Sequence, residues 1–430
     1  VSLRKKKIGS RLINSKEKKV DLAIFVFMSS LLSHNDLKKA AATFGTPLYV
    51  YHAEKITTQY ESLKNAFSQC NARFFYAAKA LTNINILRHL KSIGCSVDCS
   101  SINEVKLAIK AGFSPSDILY TSNNIAFEEI EEAVSLGISI NIDSLSNLEK
   151  FGTRFGHSYP VGVRLRPNIM AGGNLKISTG HAHSKFGIPV EQLDQLLEIV
   201  KRKNLHVRTL HIHTGSEIKE VSVFIQGVKL LLDLAANFSE LEVIDLGGGF
   251  KVPYQPGEQG TDMELLGKEI TNVFANYAAN TGRSLQVWFE PGKYLVSEAG
   301  YFLTTVTVLK HNGDLHFAGV NSGLNHLIRP MFYDAYHHIE NVSNPAGPLS
   351  TYQVVGNICE TDNFAVDRPL PEIREGDLLA FYNAGAYGFE MASQYNARFR
   401  PAEVLFHHGE MTLIRRRETL EDLLRTQVLP

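Results

Sequence analysis

The feature that most restricts the fold is an alternation that holds for more than half of the chain. Apolar, strand-like runs occur at 73–78, 95–98, 118–121, 139–143, 161–167, 207–214, 241–247 and 285–290. Amphipathic segments lie between them, and in 102–111 and 221–237 the apolar residues recur at helical spacing. Eight strands alternating with helices in roughly 220 residues is the arithmetic of a closed (β/α)8 barrel, with an open doubly wound sheet as the second reading.

The pattern changes beyond Gly292. Runs at 301–310, 315–320, 351–358, 377–382 and 403–414 are separated by Gly, Pro and Asn without a long helical pattern between them, which reads as a mostly antiparallel β domain. Segment 341–348 is its expected long loop. Upstream, 46–51 reads as a strand and 53–70 as a helix. The chain of 430 residues is long enough for one large and one medium domain. The expected division is a leader at 1–27, a segment at 28–52 that packs with the β domain, the barrel at 53–292, and a sandwich-like or barrel-like β domain at 293–430.

The leader stands apart in composition. Lys5, Lys6, Lys7, Arg11 and the lysines of 16–19 precede a short apolar piece at 20–27. Asp21 interrupts that piece, no small-residue cleavage site follows, and it is too short to span a bilayer. It reads as a disordered or non-native leader, with Met28 as a candidate start. Elsewhere 44 Lys and Arg balance 44 Asp and Glu, which gives no basic excess for a nucleic-acid partner and no acidic tail. Cys70, Cys95, Cys99 and Cys359 have no zinc-site spacing and are sparse for a disulfide framework, so a reduced cytoplasmic setting and no membrane partner are expected.

Barrel chemistry gathers where strands end and βα loops begin. Those positions hold Lys79, Asp98, Asn123 and Asn124, Asp143, Arg164 with Arg166, His213 with Gly215 and Ser216, Gly247, Gly248 and Gly249, and Glu290. Lys79 follows a buried run, and burying an ammonium is costly unless it is paired or neutralised. Either it marks where the strand meets solvent, or partial desolvation lowers its pKa and makes it a Schiff-base nucleophile. The glycine run could close backbone N–H groups on a phosphate, although such loops are often plain turns, and it matches no dinucleotide or Walker pattern. His211 and His213 share one strand face, as in metal-dependent barrel hydrolases, yet no second ligand cluster completes a coordination sphere in the sequence; His181 and His183 sit in a glycine-flanked loop. Glu290 could hold a pyridinium N–H. Lysine, single-phosphate loop, ring-covering histidine and ring-nitrogen carboxylate together fit pyridoxal 5′-phosphate.

These residues are also a resemblance. The chain from about Phe44 to Phe406 resembles the fold-type III, barrel-class decarboxylases dependent on pyridoxal phosphate, and among them most closely the diaminopimelate decarboxylases. The segments that carry it begin with Tyr76-Ala-Ala-Lys79-Ala, Val97-Asp-Cys-Ser-Ser-Ile-Asn-Glu104, Ser178-Thr-Gly180 and Ser184-Lys-Phe-Gly-Ile188. They continue through His213-Thr-Gly-Ser216, Asp245-Leu-Gly-Gly-Gly249, Glu290-Pro-Gly-Lys293, Arg329-Pro-Met-Phe-Tyr333, Cys359-Glu-Thr-Asp362, Gly385-Ala-Tyr-Gly388 and Tyr395-Asn-Ala-Arg398.

The resemblance implies Lys79 as the Schiff-base lysine, His213 on the pyridine face, and Glu290 on the pyridine nitrogen. It places Asp98, Ser216, Gly247, Gly248, Gly249, Pro291, Gly292, Lys293 and Tyr387 around the cofactor. Lys293, Arg329, Tyr333, Glu360 and Tyr387 would meet the substrate, and Cys359 would lie near the reacting carbon. A homodimer with shared sites is implied, the Cys359–Glu360 loop coming from the partner. The implied reaction is decarboxylation of meso-2,6-diaminopimelate to L-lysine, the last step of lysine biosynthesis. Alternatives are decarboxylation of D-ornithine, D-lysine, arginine or carboxynorspermidine, a metal-dependent barrel hydrolase, and a non-catalytic regulatory relative. The family's usual arginine is Lys293 here, which keeps the charge and loses the bidentate fork.

Overall fold

A computed structural model describes residues 32–169 and 184–428. The basic leader, the segment Ser178-Thr-Gly180, His181 and His183 lie outside the described residues. A helix, His34–Phe44, comes first, then strand β1 (Leu48–His52), and the helix Ala53–Ala66 follows β1 directly. Then come β2 (Ala72–Ala77), β3 (Ser96–Cys99), β4 (Ile118–Thr121), β5 (Ser139–Ile142) and β6 (Val161–Arg166). The two-residue β7 (Ile188–Pro189) precedes β8 (Val207–Ile212), β9 (Val243–Asp245) and β10 (Gln286–Phe289). Strands β2, β3, β4, β5, β6, β8, β9 and β10 pair in parallel in that order, and β10 closes onto β2. The closed barrel is therefore the architecture, and the open sheet is excluded.

Helices cover the outside, which is why these strands read as near-continuous apolar runs. The connecting helices carry their own start and stop signals. Ser101 caps Ile102–Ala111 by accepting from the Glu104 N–H, and Gly112 ends it in the left-handed region. Asp262 caps Met263–Thr281 in the same way, and Gly282 ends that helix. Inside the barrel, Phe75, Leu119, Val243 and Trp288 form a separate apolar cluster. The rings of Phe75 and Trp288 lie 4.6 Å apart, and the guanidinium groups of Arg73 and Arg208 lie over the indole at 5.8 and 5.6 Å. Side chains alternate along a strand, so the residues two positions on (Ala77, Thr121, Asp245 and Glu290) share the interior face with this plug.

The rest of the chain builds a second sheet from β11 (Gly300–Asn312), β12 (Leu315–Val320), β13 (Ile339–Asn341), β14 (Leu349–Val355), β15 (Asn363–Pro371), β16 (Leu378–Phe381), β17 (Ala402–His407) and β18 (Glu410–Arg415). Strand β1 joins it, antiparallel to β11 and parallel to β17. With β12 and β14 also parallel, the sheet is mixed rather than purely antiparallel. The run 403–414, expected as one strand, is a hairpin. His408 and Gly409 both adopt positive φ, 51° and 79°, which suits a two-residue turn between right-twisted strands. Strands β13 and β15 carry weak apolar patterns and were not expected. The helix after β1 stops at Ala66, four residues before the expected end.

The two domains touch backbone to backbone beside the site. A Cβ at Gly385 would lie 1.9 Å from the Val296 carbonyl oxygen, so only glycine fits there. The same loop reaches the turn after β2, where the Tyr387 N–H donates to the Ala80 carbonyl at 2.9 Å.

Candidate active site

The C-terminal ends of the barrel strands converge on a cavity of about 550 Å³ lined by Lys79, Phe186, His213, Ser216, Glu217, Lys251, Tyr254, Lys293, Arg329, Tyr333 and Tyr387, among others. A narrower recess continues it past Gly249, Glu290, Pro291 and Gly292. Lys79 stands on the short turn Ala78–Ala80 directly after β2, with its Nζ 3.8 Å from Asp98 Oδ2. The turn is held from below: Glu390 accepts from the Thr82 N–H at 2.7 Å and from its hydroxyl at 2.8 Å.

Deep in the site sit three buried carboxyl groups, Asp98, Asp245 and Glu290. Burial pushes Asp98 and Asp245 well above the usual carboxylate range, and repulsion from Glu290 adds to it. Burial would raise Glu290 too, but His211, Lys79 and His213 outweigh it and hold Glu290 below the usual range. Its Oε1 lies 3.3 Å from His211 Nε2 and accepts from the Thr121 hydroxyl at 3.2 Å. Of the three, only Glu290 is shifted toward the ionised form.

The lysine behaves differently from the sequence-based expectation. Burial lowers its pKa, but Asp98, Tyr387 and Glu290 outweigh burial and raise it on balance. With no cofactor bound, Lys79 is therefore an ammonium held by acids, not a depressed amine. The metal question changes as well. The sequence shows no cluster to complete His211, but the fold brings Asp245 and Glu290 to it from β9 and the end of β10, with ligand atoms within 4.8 Å of one another. His211 itself is held below its usual range by burial.

His213 follows β8, and burial followed by repulsion from Arg164 and Lys79 keeps its imidazole neutral. Its Nδ1 accepts from the Gly248 N–H at 3.3 Å. The Gly247 N–H donates to Asp245 Oδ1 at 3.0 Å. Of the glycine run only Gly249 lines the recess; it has φ of +100°, and a Cβ there would lie 2.2 Å from the Gly215 carbonyl oxygen. Two of the three N–H groups thus serve the loop's own packing.

Lys293, on the short helix Lys293–Val296, lines both the cavity and the recess and is nearly buried. Its Nζ contacts Glu217 and donates to Ser216 Oγ at 3.3 Å. Arg329 donates to the Tyr254 hydroxyl at 3.2 Å, and its guanidinium lies 5.3 Å from that ring. Glu217, Lys251 and Tyr254 escaped the sequence reading. Glu217 directly follows Ser216, and Tyr254 lies in the Pro- and Gly-rich loop 252–257, so proximity to the glycine run was the available signal.

Arg164 and Asp143 are buried at their strand ends, with the Arg164 guanidinium 4.8 Å from the Phe186 ring. Cys359 and Glu360 are not among the residues that line the cavity. They are exposed, where the Tyr395 hydroxyl lies 3.4 Å from Cys359 Sγ and donates to Glu360 at 2.8 Å. Hydrogen bonds from Tyr395 and Asn396 lower the thiol pKa.

A primary amine, a flat neutral imidazole, an ionised carboxylate at depth and a hydroxyl beside a lysine form a donor set that fits pyridoxal phosphate. Asp98 Oδ1 and His211 Nδ1 are buried without a hydrogen-bond partner among the described residues, which leaves polar atoms for a bound ring to meet. On a parallel barrel this set defines the class of pyridoxal-dependent decarboxylases, and the pyridoxal-binding domain of that class matches residues 53–297. A diaminopimelate decarboxylase of Methanothermobacter thermautotrophicus is 40% identical over 410 residues, 93% of this chain and 96% of that protein. The diaminopimelate decarboxylase of Escherichia coli K12 is 32% identical over 415 residues, 93% of this chain and 97% of that protein. The crystal structure of the Helicobacter pylori diaminopimelate decarboxylase complexed with L-lysine superposes with a TM-score of 0.83 at 32% identity, over 90% of this chain and 98% of that one. The chain belongs to the diaminopimelate decarboxylase family.

Proposed function

We propose that this chain releases carbon dioxide from meso-2,6-diaminopimelate to give L-lysine, with pyridoxal phosphate as cofactor and with each site completed by a second copy of the chain. The observation that carries the reading is the single cavity in which Lys79, His213, Glu290, Lys293 and Arg329 meet at the strand ends. Bound pyridoxal phosphate supplies an electron sink for the pair left behind when carbon dioxide departs. Lys79 would anchor it, and the Glu290 carboxylate would hold a proton on its ring nitrogen. His213 would lie against the ring, and Ser216, the Gly249 and Gly292 backbones and Tyr387 would hold the phosphate.

A substrate with an ammonium and a carboxylate at its far end needs partners of both signs. Arg329 and Lys293 are placed to meet the carboxylate, and Tyr333 borders them. Cys359 and Glu360 stand outside their own cavity, which supports a homodimer in which they serve the site of the other copy, Glu360 toward the ammonium and Cys359 as proton donor to the reacting carbon. Four free cysteines are in keeping with a cytoplasmic enzyme, and no helix among the described residues is long and apolar enough to cross a membrane.

The deciding experiment measures carbon dioxide release from meso-diaminopimelate, D-lysine, D-ornithine, arginine and carboxynorspermidine in parallel, with lysine assayed as product. Preference for meso-diaminopimelate is the expected result. Faster release from any of the others would overturn the substrate assignment.

A further inference from the structure

Tyr254 lines the cavity beside Lys293 and Arg329. It stands in the loop between β9 and the helix Met263–Thr281, and Thr261 closes that loop at its base. The Thr261 N–H donates to the Lys251 carbonyl at 3.1 Å. Its hydroxyl accepts from the Lys251 N–H at 2.8 Å and donates to the Ile218 carbonyl at 2.7 Å. Further out, the Tyr254 N–H donates to Glu258 at 2.8 Å, and the Asn383 amide donates to the Pro253 carbonyl at 2.6 Å. The His337 ring meets the Tyr254 ring edge-on, with centroids 5.7 Å apart. Barrel and β domain thus hold one aromatic side chain between them.

The protons around the Tyr254 hydroxyl have one consistent arrangement. A guanidinium only donates, so the phenol oxygen accepts from Arg329 Nη2 at 3.2 Å. The fully buried Ser297 hydroxyl donates to the Asn383 carbonyl at 3.2 Å, which leaves its oxygen to accept from the phenol at 3.0 Å. A one-way chain therefore runs from Arg329 through Tyr254 and Ser297 to Asn383. Arg329 is itself nearly buried, and its Nε has no hydrogen-bond partner among the described residues. Its side chain forms no ion pair with a described carboxylate, so the Tyr254 hydroxyl is what fixes the guanidinium. The same ring lies 5.3 Å from the Arg329 guanidinium and 5.9 Å from the Lys293 ammonium.

A long side chain that is ordered only when a ligand arrives gives up its rotamer freedom at that moment, and binding is weaker for it. An arginine already held in place avoids that loss. We propose that Tyr254 is a positioning residue for substrate specificity: its hydroxyl holds the Arg329 guanidinium ready for a carboxylate at the substrate's far end. It thereby favours a far end that carries a carboxylate over one that carries an amine alone. The inference rests on Arg329 meeting that carboxylate, as in the function proposed above. Tyr254 takes no part in the bond-breaking step.

The test titrates the full-length, cofactor-loaded enzyme with L-lysine and with cadaverine, and reads each Kd from the cofactor's visible band. Bound through the side-chain amine, L-lysine differs from cadaverine only in the carboxylate at the far end. Tyr254→Phe, Arg329→Gln and the double variant are compared with the parent. The parent should bind L-lysine more tightly than cadaverine. Tyr254→Phe should weaken L-lysine about five- to tenfold and cadaverine by less than about twofold. In the Arg329→Gln background the same change should move neither probe, because the interaction it removes is already gone. Equal weakening of both probes, an undiminished preference for L-lysine in Tyr254→Phe, or the same weakening without Arg329 would each overturn the proposal and leave the substrate assignment standing. A parent that does not distinguish the two probes would overturn the proposal together with the placement of Arg329 against a carboxylate.

Discussion

At the lower end of the barrel Phe75, Leu119, Val243 and Trp288 pack into an apolar plug. Two residues further along the same four strands, Ala77, Thr121, Asp245 and Glu290 face the same interior but belong to the site. The lower layer gains from excluding water and loses nothing, since its side chains have no polar group to strand except the indole N–H, which donates to Gln286 at 3.1 Å. The upper layer gathers buried acids and a buried histidine, His211, whose burial is costly. One strand therefore carries stability and chemistry on adjacent floors, and the difference shows where substitutions should separate the two.

The sharpest separation is expected from Lys79→Ala. Turnover should fall by about 10³-fold or more, the visible band of the bound cofactor should disappear, and the urea midpoint should stay at or above that of the parent. A clear loss of stability would break the comparison. Trp288→Ala is the converse. Emptying the plug should cost about 3–5 kcal/mol in equilibrium unfolding, with kcat of the folded fraction close to that of the parent.

Glu290→Gln comes next. Replacing this carboxylate with a neutral amide should lower kcat by roughly 10²–10³-fold without a matching fall in stability. Lys293→Ala should raise the KM for meso-diaminopimelate by about tenfold or more while changing kcat little, the signature of lost binding to substrate and transition state alike.

The smallest effect is a slope. The fold raises the pKa values of Asp98 and Asp245, so their favourable contribution is complete below the ordinary carboxylate range and is lost as pH rises through the raised values. Stability of the cofactor-free protein should decline in that direction. Asp245→Asn should flatten the profile, and Trp288→Ala should displace it without changing its slope, because the plug does not titrate.

The sequence made the barrel legible because parallel strands buried on both faces announce themselves, and because the strand ends could be compared side by side. Lys79, His213 and Glu290 emerged from that comparison. What it left hidden depends on contacts between distant parts of the chain. The raised pKa of Lys79 comes from Asp98, Tyr387 and Glu290 on three other elements, and Asp245 reaches His211 only when β8 and β9 pair. The hairpin at 403–414 is hard to read because only the second of its two turn residues is glycine, and the first is a histidine where Asn, Asp or Gly is the usual signal. Cys359 and Glu360 could be found by motif, but no spacing in one chain says that they face away from their own cavity.

The contact between Lys293 and Glu217 has a consequence for selectivity. That stretch of wall is electrically balanced: Glu217 lies between the ammonium groups of Lys293 and Lys251, and Lys251 also meets Glu258 at 2.6 Å. A molecule whose far end is only an amine or only an acid would take one partner and leave the other facing a charge it repels, or facing nothing. An end that carries both signs, and is neutral in sum, can part the pair and replace each half. If Lys293 meets the substrate as proposed, the wall would exchange its own salt pair for the visitor's far end, and a single ammonium can turn from one carboxylate to another.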